Sequence, residues 1–117
     1  VTDSACLAAV EAADALNVPV IVVATEHGNS ARAIRKFNPK AEILALTPNV
    51  KAARQLCVTR GVMPKIVDRI SSTDEFLQLG KKLAVEMGLA KAGDKIVMVN
   101  GALVPSGITN TMSVQTI

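Results

Sequence analysis

The sequence has 117 residues, and half of them are apolar, which is enough for one domain with a substantial core. Its formal charge is +3, and it contains two Phe but no Trp or Tyr. A platform for single-stranded nucleic acid needs stacked aromatic side chains, and no apolar run reaches the length of a membrane span. We therefore expect a single domain over residues 1–117 that binds neither nucleic acid nor membrane.

The two cysteines indicate the redox compartment of the protein, and the first residue indicates whether the chain is part of a longer one. Cys6 and Cys57 lie on or near apolar faces of predicted helices, so we expect buried thiols in a reducing compartment. No signal peptide is visible, and a cytoplasmic location is the default expectation. Because the chain begins with Val1 and not with Met, we expect it to be a piece of a longer protein or a processed product.

The first third of the chain predicts helix, strand and helix in turn. The alanine-rich residues 4–17 predict a helix capped by Asp3 or Ser4. The β-branched run 20–24 predicts a strand buried on both faces, and residues 30–37 predict a second helix. The apolar residues of the first helix recur at helical spacing, at Leu7, Val10, Ala13 and Leu16.

The middle of the chain continues this alternation. Residues 41–46 predict a second strand, and Thr47 is expected to cap a third helix with Pro48 at its first position. Residues 61–67 predict a third strand. Because proline cannot donate a hydrogen bond to a neighbouring strand, Pro64 predicts that this strand lies at an edge of the sheet or is broken. The apolar face of the third helix is expected to consist of Ala53, Leu56 and Cys57.

The last third predicts one long helix and two strands. Ser72 and Glu75 have capping-box spacing, and the helix that follows is expected to end at Gly88. Its apolar face is formed by Phe76, Leu79, Leu83 and Met87. Residues 95–100 and 111–117 predict the remaining strands. Strands that alternate with helices predict an α/β sandwich with a mostly parallel sheet.

A polar turn over residues 25–30 joins the buried first strand to the second helix. Its backbone N–H groups and the helix dipole can face an anion, Gly28 permits close approach, and Thr25 and Ser30 add hydroxyl donors. The loop 101–109 also follows an apolar strand, so the two segments face one pocket if their strands are neighbours. An ordinary strand-to-helix turn with a Ser or Asn cap is the alternative.

Catalytic patterns are missing from the sequence. There is one histidine, His27, and the cysteines lack the paired spacing of metal ligands. No Walker loop, dinucleotide fingerprint or nucleophile elbow is present. The sequence therefore predicts an anion pocket without catalytic residues and without a metal site.

Over essentially its whole length the chain resembles the C-terminal domain of pyruvate kinase. The most specific segment is Ser106-Gly107-Ile108-Thr109-Asn110-Thr111 within residues 101–111. The other segments that carry the resemblance are residues 20–25, 28–32, 43–47, 53–56 and 60–62. The closest likeness is to bacterial enzymes activated by fructose 1,6-bisphosphate. The implied fold is a three-layer α/β sandwich with a mostly parallel five-stranded sheet.

The resemblance also implies a function. The parent enzyme transfers phosphate from phosphoenolpyruvate to ADP in glycolysis, requires Mg²⁺ or Mn²⁺ and K⁺, and forms a homotetramer. Its active site lies in a barrel domain that is not in this chain, so this chain alone is expected to be inactive. The C-terminal domain helps to assemble the tetramer and in many members binds a sugar-phosphate effector.

In that effector site the 6-phosphate is held by the positions that match Thr25, His27, Gly28, Asn29 and Ser30. The effector loop that covers the sugar matches Gly101, Ser106, Gly107, Ile108 and Thr109. The family thus assigns a phosphate to the same turn that the residues alone predict to bind an anion.

Three positions depart from the family pattern. Glu26 stands where some effector-sensitive members carry Lys, and His27 where many have Ser or Gly. Phe76, after Asp74 and Glu75, occupies a region where some members place an Arg against the other phosphate. The alternatives are therefore a smaller sugar monophosphate as effector, an interface domain with a non-functional effector site, or a free-standing phosphate-binding protein of the same fold.

Overall fold

The computed structural model describes residues 2–25, 29–37, 39–58, 61–68, 73–100 and 111–117. Within these residues, helices and strands follow each other as the sequence predicts. The helices are α1 (Thr2–Leu16), α2 (Asn29–Lys36), α3 (Val50–Cys57) and α4 (Thr73–Glu86). The strands are β1 (Val20–Ala24), β2 (Glu42–Thr47), β3 (Val62–Ile66), β4 (Lys95–Asn100) and β5 (Thr111–Thr116).

The five strands form one sheet in the order β3-β2-β1-β4-β5. Strands β1 to β4 are parallel, and only β5 runs antiparallel, against β4. The predicted α/β fold with a mostly parallel five-stranded sheet is therefore confirmed. The central strand β1 is buried along its whole length, as its β-branched sequence requires of a strand covered on both faces.

Two apolar clusters cover the two faces of the sheet. On one face, residues such as Ile21 and Val97 pack with α1, α2 and Leu56 of α3. On the other face, alternate strand residues such as Val22 and Met98 pack with α4. The domain is thus a three-layer sandwich with three helices on one face and a single helix on the other.

Pro64 lies in β3, which is an edge strand as predicted. The N–H of Ile43 donates to the carbonyl of Gly61, and the N–H of Val67 donates to the carbonyl of Thr47. In a parallel ladder this register turns the backbone groups of Pro64 away from β2. Proline therefore removes a donor from the open edge without breaking a bond inside the sheet.

The start and the buried face of α1 differ from the sequence prediction. The helix begins at Thr2, so Asp3 and Ser4 lie inside its first turn and are not caps. Leu7 and Leu16 are 41% and 44% exposed, although their spacing predicted a core role. The buried face is formed instead by smaller residues, Cys6, Ala9, Val10 and Ala13, which bring the helix close to the sheet.

The N-terminal cap of α3 is Asn49, not Thr47. The side-chain oxygen of Asn49 accepts a hydrogen bond from the N–H of Ala52 at 3.2 Å. Thr47 is the last residue of β2, and its hydroxyl oxygen accepts from the N–H of Asn49 at 3.1 Å. Cys57 was predicted to be buried but is exposed, because α3 turns Ala52, Ala53 and Leu56 toward the sheet.

Helix α4 buries most of its predicted apolar face. Phe76 and Leu83 are buried and Leu79 is partly buried, but Met87 is 37% exposed just beyond the end of the helix. Gly88 follows with a φ of 73°, the left-handed conformation that glycine adopts at helix ends. Ser72, the first residue of the predicted capping box, lies outside the described residues.

Candidate functional site

Strands β1 and β4 are parallel neighbours, and Ala24 is in register with Asn100 at their carboxyl ends. The chain proceeds outward from β1 through β2 to β3 and then returns by α4 to the other side of β1. The strand order therefore reverses between β1 and β4. In open α/β sheets this reversal opens a crevice in which ligands commonly bind. The condition that the turn 25–30 and the loop 101–109 follow neighbouring strands is met.

Thr25 is the first residue of the predicted turn, and it lies below the surface. Its side chain is only 3% exposed. Its N–H donates to the carbonyl of Leu46 at 3.0 Å, which extends the β1–β2 ladder one residue past β1. The sheet therefore holds the first residue of the turn in place.

Asn29 and Ser30 are the first two residues of α2. The N–H groups of the first helical turn have no intrahelical acceptor, and they carry the positive end of the helix dipole. Helix α2 has no acidic residue in its first turn, so no carboxylate of its own neutralises that end. A buried strand is therefore followed, after residues 26–28, by a helix N-terminus. This order of elements binds anions in other α/β proteins.

The remaining predicted site residues lie outside the described residues. They are His27 and Gly28 in the turn and Gly101, Ser106, Gly107, Ile108 and Thr109 in the loop. The structure thus brings together the two strand ends from which these residues follow, with Thr25 directly after β1 and with Asn29 and Ser30 at the start of α2.

Thr47 is a residue of this edge that the sequence interpretation treated only as a cap. It ends β2 beside Thr25, it is completely buried, and its carbonyl accepts from the N–H of Val67. A buried threonine therefore follows β1 and ends β2, and in each case an Asn lies a few residues later, at the start of α2 and at the cap of α3. This repeated pattern of apolar strand, Thr and Asn is the sequence signal that could have indicated a structural role for Thr47 at the strand end.

Charges of opposite sign flank the carboxyl edge of the sheet. Arg32 lies on α2, whereas Asp74 and Glu75 form an acidic first turn of α4. A groove of about 450 Å³ next to α4 is lined by the charged residues Lys65, Asp68 and Glu75 above apolar side chains.

No group of three or more His, Cys, Asp or Glu side chains within the described ranges is arranged to hold a metal ion. None of the described helices combines the length and apolar character needed to cross a bilayer. No buried side-chain nitrogen or oxygen in the described part of the chain lacks a hydrogen-bond partner.

These features define a doubly wound α/β domain whose strand order reverses between β1 and β4. The sequence model of the family "Pyruvate kinase, alpha/beta domain" matches residues 3–115. The chain therefore belongs to the pyruvate kinase C-terminal α/β domain family.

Pyruvate kinases of bacteria are similar to the chain over nearly all of its length. The enzyme of Lactococcus lactis is 40% identical over 117 residues, all of this chain and 23% of the relative. That of Clostridium acetobutylicum is 39% identical over 119 residues, 99% of this chain and 25% of the relative. The Staphylococcus aureus enzyme is 41% identical over 102 residues, 87% of this chain and 17% of the relative. The chain thus spans about a quarter or less of these relatives.

A solved structure supports the same assignment. The crystal structure of a pyruvate kinase from Cryptosporidium parvum is 31% identical and has a TM-score of 0.88. The match covers 99% of this chain and 22% of the crystallised chain. The whole domain, and not an isolated motif, therefore has the architecture of that region of a pyruvate kinase.

Proposed function

We propose that this domain is the regulatory and subunit-interface domain of a pyruvate kinase, with a sugar-phosphate effector site and no catalytic residues of its own. The observation that carries the proposal is that β1 and β4, the strands that precede the turn 25–30 and the loop 101–109, are parallel neighbours whose carboxyl ends lie at one edge of the sheet. The family assignment supports it, because the same two segments match the effector positions of the resemblance.

The phosphate is bound by the turn that leads into α2. Thr25 forms the floor of the site, and the backbone N–H groups at the start of α2, with the Ser30 hydroxyl, donate to the phosphate oxygens. His27, Gly28 and Asn29 complete the turn. The loop that contains Gly101, Ser106, Gly107, Ile108 and Thr109 covers the sugar. Fructose 1,6-bisphosphate or another sugar phosphate is the effector.

The parent enzyme transfers phosphate from phosphoenolpyruvate to ADP in the cytoplasm, with Mg²⁺ or Mn²⁺ and K⁺ bound in its other domains. This chain regulates that reaction and does not perform it. The length of the relatives supports this division, because three quarters or more of each curated relative lies outside the matched region. The remaining domains of the enzyme are therefore the first partners of this one.

The second partner is another copy of the same domain. Strand β5 is an edge strand of six residues that contains neither a charge nor a proline. Edge strands without such protection pair readily with other strands. Helix α1 packs beside β5, and both elements carry exposed apolar side chains at Leu7, Leu16 and Val114. The β5 edge and α1 together provide a surface for assembly of the homotetramer.

The alternative is an interface domain whose effector site does not function, and the unprotected β5 edge favours an interface role in either case. Calorimetric titration with fructose 1,6-bisphosphate and with inorganic phosphate separates the two. The variant Ser30→Asp places a carboxylate at the phosphate position and abolishes binding. The variant Glu26→Lys tightens it, by about tenfold or more, since it exchanges a repulsive charge for an attractive one.

The matched control is Glu86→Lys, which makes the same change of charge at the far end of α4. Binding that responds to the two turn variants but not to the control supports the effector site. Equal binding by all variants would locate the site elsewhere. Absence of binding by every variant, Glu26→Lys included, would support the purely structural domain.

A further inference from the structure

We draw no further inference here: the strongest candidate, the surface patch on α3 and the edge strand β3 where Val50, Val58 and Ile66 are exposed, carries none because nothing in the structure shows what covers it.

Discussion

Gly80 of α4 lies directly over Met98 of β4, and a Cβ atom at Gly80 would overlap the terminal methyl group of Met98. The same Cβ would also lie 3.1 Å from Cγ1 of Val22 in β1. Met98 and Val22 are both buried, so a displaced side chain has to repack within a close-packed interior. The absence of a side chain at Gly80 is thus what allows one helix to cover this face of the sheet closely.

We expect Gly80→Ala to destabilise the domain by about 1 to 3 kcal/mol, because the overlap outweighs the better helix propensity of alanine. Met98→Leu removes the terminal methyl group that is in the way. In the Met98→Leu background the cost of Gly80→Ala should be clearly smaller. Urea denaturation of the four proteins of this cycle gives the coupling energy. A coupling energy of zero would contradict the proposed overlap.

Gly61 and Gly93 form a matched pair for a second prediction. Both have positive φ, 82° and 92°, so alanine is strained at either position. A Cβ at Gly61 would lie 3.1 Å from Nε of Arg35, whereas nothing lies within 4 Å of one at Gly93. We expect Gly61→Ala to cost more than Gly93→Ala. The difference in unfolding free energy should become smaller in an Arg35→Ala background, since the three atoms nearest to a Cβ at Gly61 all belong to Arg35.

The proposed assembly surface predicts an effect of charge on self-association. Val114 is 41% exposed, and it pairs with Val97, which belongs to the cluster on the α1 side of the sheet. Val114→Lys should weaken self-association in sedimentation velocity experiments by burying a charge in the interface. Val85→Lys is the control, because Val85 is similarly exposed but lies on α4 at the opposite face. Equal behaviour of the two variants would contradict an interface at β5.

His27 predicts a pH dependence of phosphate binding. A histidine side chain is the group that gains a positive charge between neutral and mildly acidic pH. Phosphate affinity relative to a His27→Gln variant should therefore rise by about fivefold between pH 8 and pH 6, which corresponds to about 1 kcal/mol. The second ionisation of the phosphate affects both proteins equally, so the ratio isolates His27. A ratio that is independent of pH would exclude a contribution of the imidazole.

The isolated chain should not form pyruvate from phosphoenolpyruvate and ADP. No described group of acidic side chains can hold the divalent ion that phosphoryl transfer requires. A coupled assay with the purified chain measures this directly. Turnover that copurifies with the chain and disappears in a variant of it would overturn the prediction.

The order of helices and strands could be predicted from the sequence because its apolar periods are regular. The β-branched sequence of β1 predicted a strand buried on both faces, and Pro64 predicted that β3 lies at an edge of the sheet. The fact that β1 and β4 are neighbours in the sheet could not be predicted in this way. It depends on the crossover through α4, a long-range contact that no local pattern contains.

The errors in the sequence interpretation have local physical causes. Thr47 and Asn49 both have side chains that can cap a helix, and the N1 preference of Pro48 favoured the wrong one. The pairing of Thr47 with Ile66 keeps it in the sheet and transfers the cap to Asn49. Leu7 has helical spacing with Val10, but this spacing alone does not show whether a side chain is buried in the core or exposed at the surface, as Leu7 is.

The reversal of strand order between β1 and β4 also bears on how the domain folds. The parallel units β1-α2-β2 and β2-α3-β3 close over short stretches of chain, whereas the β1–β4 pairing joins Ile21 to Val97. Closing that long loop costs more chain entropy, so this pairing is expected to form late. The proposed effector site, which lies where β1 and β4 end side by side, can form only after that step. A phosphate ligand would then stabilise the completed fold without accelerating its early stages, and a nascent chain that ends before β4 would have no site to occupy.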